Sequence, residues 1–225
     1  MNDHHVLTIR IDSSKPNYPK VRLLIDGSDL LATTGNDEGN DPADILDTGA
    51  LIPTKPSRRI ALYGCGCGIF GCANVAMLVH RVGDTVQWSD AQSLTGAYEA
   101  ALPNDGDEEP DPAVDYDLPS QPLAVPLLTF SASQYNDEVA RAMADRTWET
   151  HLRAVMRHLL ALKPEWMMHA TGPATFTLDY PQGRRWGLTE LEVPSGEPAY
   201  LAQALVDLFD QGVRPGQIIQ EALWQ

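Results

Sequence analysis

The sequence is short of positive charge. Sixteen lysines and arginines stand against 31 aspartates and glutamates, a formal net charge of −15 over 225 residues. At long range such a chain repels nucleic-acid phosphates and anionic lipid, which argues against generic polyanion binding; a basic partner would be attracted, although acidity also serves solubility alone. Apolar runs of membrane-spanning length are lacking, and Met1-Asn2-Asp3-His4-His5 does not open a secretory signal. A cytoplasmic protein without membrane attachment is expected. The texts GxxxxGK[ST], G-x-S-x-G and H-E-x-x-H and the kinase set are absent too, which removes the familiar contiguous catalytic sites. An enzyme built from dispersed residues stays open. Cysteine is scarce, with three residues, and a chain of this length buries enough surface to need no disulfide or metal support.

What the sequence does have is concentrated in Arg59 to Asp90. Apolar runs at Ile60 to Tyr63 and Ala73 to Val79 flank a glycine-rich connection, and Val82-Gly83-Asp84-Thr85 leads into Val86 to Trp88. This order predicts a three-strand meander. The connection holds Cys65, Cys67 and Cys72, which can be packed thiols, zinc ligands or a redox group. Their spacing is not a pair of CxxC knuckles, and a fourth ligand is missing nearby. His80 lies about 26 Å further along an extended strand at about 3.3 Å per residue. Packed thiols are therefore the expected state and no cofactor is expected, with zinc as the alternative.

Ahead of the meander, Leu7, Ile9 and Ile11 alternate in a first strand, and Lys20 to Asp26 forms a second that ends at the turn pair Asp26-Gly27. Leu30 and Leu31 start a return strand. Thr33 to Ser57 reads as a loop with at most one helical turn; its acids do not match an EF-hand. Residues 103–122 carry seven acids, five prolines and no base, a composition that cannot order itself by burial. After a strand at Leu123 to Phe130, Ser131-x-x-Gln134 fits a capping box at the head of a helix running to about Leu162, with a break near Asp145 to Thr147 allowed for. Ala174 to Tyr180 and Leu188 to Val193 form a hairpin whose connection holds Arg184, Arg185 and Trp186, a basic and aromatic cluster that can anchor a partner or pair with the protein's own acids. Ser195 and Pro198 start a helix that stops at Gly212, and a short last helix spans Gln217 to Trp224.

Four stretches, VRLLIDGSDLL at Val21, CGCGIFGC at Cys65, DTVQWSD at Asp84 and FSASQYNDEVARAMADRTWE at Phe130, resemble a family of uncharacterised bacterial proteins common in actinobacteria. Its pattern is a C-x-C-G-x-x-G-C hairpin followed by a V-x-W strand, matched here by Trp88, and then Phe130, Tyr135, Trp148 and Glu149. The resemblance implies a shared fold and a bacterial cytosolic setting, and no activity.

The expected fold is α+β in one domain, 1–225: a mainly antiparallel sheet packed by one long helix and C-terminal helices. A β-rich half, 1–102, is separated by the acidic loop 103–122 from a mixed half, 123–225. The expected function is a non-enzymatic interaction protein, antitoxin-like or immunity-like, whose acidic surface meets a basic partner. A metal or thiol protein centred on Cys65, Cys67 and Cys72 is the first alternative, and an enzyme with dispersed residues the second.

Overall fold

Alternating apolar residues make half-buried strands here, and apolar residues recurring at three and four make helices. The structure, a computed structural model, describes residues 4–29, 38–64, 73–95, 98, 101–102, 121–182 and 185–213. The fold is α+β, and all of its sheets are antiparallel. In chain order the strands and helices are β1 (Leu7–Asp12), β2 (Lys20–Ile25), β3 (Glu38–Gly39), β4 (Arg58–Gly64), β5 (Asn74–Val82), β6 (Thr85–Leu94), β7 (Gln121–Pro122), β8 (Leu128–Ser131), α1 (Ala132–Ala144), α2 (His151–Leu162), β9 (Met167–Ala170), β10 (Thr175–Gln182), β11 (Arg185–Glu192) and α3 (Pro198–Asp210). A single π-helical turn, Ala43–Asp47, buries Ile45 and Leu46. The chain divides into two compact units, Met1–Ser14 with Tyr18–Arg146, and Lys15–Asn17 with Thr147–Gln225. The division falls well after the 103–122 segment, because β7 and β8 add to the first unit's sheet.

In the first unit the expected meander is present as β4, β5 and β6, with Gly83 at φ 56° in the turn. The far edge of β6 is shared: Gln92 and Ser93 pair with β7, while Thr85 to Trp88 pair with β8. A separate hairpin, β1 with β2, is tied to the sheet at both of its edges. His5 N donates to Thr129 O, and Val21 N donates to Asn40 O, each at 2.8 Å. Gly39 makes the second tie feasible, since a Cβ there would lie 2.1 Å from Val21 O. A bulge between Ala61 and Tyr63 interrupts β4, and the buried Asn40 amide fills it by donating to Ala61 O and Leu62 O. Leu7, Ile9, Leu23, Ile60, Met77 and Trp88 belong to the core these strands enclose. Trp88, Phe130 and Tyr135 meet there ring to ring.

The second unit is a three-stranded sheet, β11-β10-β9, whose inner face packs with α2 and α3. Phe176, Leu178, Tyr180 and Leu191 meet Leu152, Val155, Leu159, Leu201 and Leu205 in that core. Gly187 sits opposite Tyr180, and a Cβ there would lie 2.5 Å from the ring, so the glycine makes room for the aromatic.

Three expectations change. The single long helix is two helices: Asp145 is extended at ψ 116° and ends α1. Thr150 caps α2 by accepting from Arg153 N, and Glu149 takes Arg157 in a bidentate pair. The two apolar stripes belong to two different cores, Tyr135 and Val139 to the first, Leu152 and Val155 to the second. The capping box does not form either, since Ser131 makes no side-chain cap and Gln134 is engaged elsewhere. Finally, Glu197 caps α3 in place of Ser195, accepting from Tyr200 N at 2.8 Å. The expected strand at Leu30, the 103–120 part of the acidic loop and the helix at 217–224 lie outside the described residues.

Candidate functional site

Cys65, Cys67, Cys72 and Arg184 lie outside the described residues. The strands flanking the cysteine segment are antiparallel neighbours, with Gly64 paired to Asn74. Gly66, Gly68 and Gly71 spell G-x-G-x-x-G. That spacing marks a dinucleotide site only between a strand and a helix, and here it stands between two strands. Arg185 and Trp186 belong to β11, where they pair with Gln182 and Pro181; the hairpin turn is tighter than the sequence suggested.

Several polar clusters form that sequence reading missed. Along α1, Gln134 accepts from Leu7 N at 3.2 Å and donates to Leu7 O at 2.7 Å. One turn on, Glu138 accepts from Ile9 N at 2.5 Å, while Arg141 donates to Ile9 O at 2.6 Å and to Glu138. Helix side chains thus replace a neighbouring strand at the free edge of β1. The match is geometric, because four helical residues rise about 6 Å and two strand residues about 6.8 Å. Burial acts to raise the Glu138 carboxyl, but the hydrogen bonds from Arg141 and Ile9 outweigh it and hold it below the usual range. From β4, Tyr63 reaches β2, accepting from Leu23 N and donating to Asp29, each at 2.9 Å, and burial pushes its hydroxyl well up.

His5 Nδ1 lies 2.7 Å from Asp26 in the turn after β2; that hydrogen bond, with a second from Val6 N, lowers the Asp26 carboxyl. Asp90, at φ 51°, takes Gln92 and Arg59, which lower it in that order. Tyr98 donates to Arg59 O, and burial pushes its hydroxyl up to about 12. Each of these clusters is satisfied by backbone or by an opposite charge. Among the described residues no group of three or more His, Cys, Asp or Glu side chains is placed to hold a metal ion, and no helix is long and apolar enough to cross a membrane.

The open surface of interest is the outer face of the β9, β10 and β11 sheet. Strand alternation sends Phe176, Leu178 and Tyr180 inward and Thr175, Thr177 and Asp179 outward. In register with the outward set are Glu192, Glu190 and Leu188 on β11, and His169 and Met167 on β9. Leu188 is 70% exposed and Met167 50%. One carboxylate, Asp179, therefore stands between two uncovered apolar side chains and two more follow along β11, with no lysine or arginine among the described side chains of that face. Exposed apolar side chains beside carboxylates have the make-up of a contact surface. Sequence reading missed it because Met167 to Ala170 shows no alternation and passed for a connection. No protein-family model, no curated protein and no solved structure matches this chain.

Proposed function

We propose that the chain is a soluble, cytoplasmic, non-enzymatic interaction protein of antitoxin or immunity type, which meets a basic protein through the outer face of the β9, β10 and β11 sheet. The observation that carries this reading is that face, where Asp179 stands between exposed Leu188 and Met167, and Glu190 and Glu192 follow Leu188 along β11. The charge inventory supports it. Arg22, Arg59, Arg141, Arg146, Arg157 and Lys163 are held by carboxylates of the chain itself, and Arg58 and Arg81 donate to its carbonyls. These eight basic side chains are engaged within the chain, against 31 acids in the whole sequence. Complementary charge steers encounter with a basic partner, and the exposed apolar side chains add contact area beside the carboxylates.

Capture from a lysate of the encoding organism tests the reading. The wild-type chain is expected to retain a basic protein at low salt and release it at high salt. A D179N/E190Q/E192Q variant with unchanged circular dichroism is expected to retain at least about ten-fold less, because charge pairs set both rate and register of encounter. Equal retention by that variant, or no salt-sensitive protein at all, would contradict it.

A further inference from the structure

A groove of about 290 Å³ runs beside α1 in the first unit, at the small end of the ~300–1,000 Å³ that ligand clefts span. Buried Tyr135 and Val139 line it together with Asn136, Ala140 and Met143, and Ile52 and Pro53 complete its apolar wall. Asn136, Ala140 and Met143 stand at i, i+4 and i+7, so they form one row about 10 Å long at 1.5 Å per residue. The groove is therefore elongated, and its lining is mostly carbon.

Arg81 also borders the groove. Its Nε donates to Gly83 O at 3.0 Å, which fixes the guanidinium, while its terminal nitrogens have no partner among the described residues. In the same unit Arg22, Arg59, Arg141 and Arg146 are all taken by carboxylates. The turn after β5 meets the start of α1, where Ala132 N donates to Asp84 O at 2.9 Å. Arg81 accordingly lies toward the Asn136 end of the row, with Met143 at the other.

We propose that this groove binds a linear amphiphilic carboxylate of the medium-chain fatty-acid class. The carboxylate pairs with the free fork of Arg81, and the acyl chain lies along the Asn136, Ala140 and Met143 row. Guanidinium matches carboxylate geometry in a way a neutral donor does not. Each methylene removed from water adds roughly three- to four-fold in affinity. This assignment is independent of the acidic sheet face, which belongs to the other unit.

Calorimetric titration of the full chain with decanoate, kept below micelle formation, tests it. Saturation at one site is expected, with affinity falling stepwise from decanoate to octanoate to hexanoate. R81Q is expected to weaken decanoate by about ten-fold or more, and A140W, which fills the groove, to abolish binding while circular dichroism is unchanged. Non-saturable uptake, decanol binding as tightly as decanoate, or equal affinity in R81Q would overturn the assignment. Self-association that A140W abolishes, without decanoate binding, would give the groove to a second copy of the chain and overturn it as well.

Discussion

Gly39 and Glu138 show how single residues hold the first unit together. At Gly39 the backbone of β2 passes so close that a methyl group would strike Val21 O, a backbone atom that cannot swing aside. G39A is expected to lose about 1–3 kcal/mol of stability, read as a lower urea midpoint at unchanged slope. Glu138 has a folded pKa below its usual 4.5. A lowered carboxyl contributes stability that is fully present above the unfolded value and is lost as pH falls through the folded one. Unfolding at pH 7 and at pH 3 is therefore expected to show a larger drop for wild type than for E138Q. The difference should be about 1 kcal/mol, because Arg141 is half exposed and solvent screens the pair. Faster amide exchange at Ile9 in E138Q is the local signature of the same loss. Asp26, Asp90 and Glu197 are lowered too and add to acid sensitivity with the same sign.

Among the elements, α1 joins parts of its unit that are distant in sequence. Tyr135 donates to Leu51 O at 2.8 Å and accepts from Trp88 Nε1 at 3.2 Å, which links helix, loop and sheet. Y135F keeps the ring and strands both partners in the core, so a loss of about 1–3 kcal/mol is expected, with a shift in tryptophan emission. Much at this scale is legible in the sequence. The alternation at Leu7, Ile9 and Ile11 and the turn chemistry at Val82 to Thr85 give strands where strands are found. Elements of two to four residues, β3, β7 and β9, leave no period to read. Ser131-x-x-Gln134 misleads because a capping box and a strand-edge clamp share one local text. Only the long-range arrival of Leu7 decides between them. The acidic sheet face was hidden for the same reason, since its members are separated in sequence and converge only through register. The cysteine segment, prominent as text, is bounded by strands and lies outside the described residues.

For the whole molecule, the acid excess of 15 charges is the property most visible in composition. The structure adds where several of the bases go: into pairs such as Arg59 with Asp90 and Arg157 with Glu149, which fasten the chain to itself. On the proposed reading this surplus would draw a basic protein, and it is screened over about 10 Å at 0.1 M salt. The most direct measurement is the affinity of the captured partner as a function of salt. The account predicts a steep fall in association rate and affinity between low and high ionic strength, and a shallower fall for D179N/E190Q/E192Q. An affinity that stays flat with salt, or that falls equally in the variant, would contradict it.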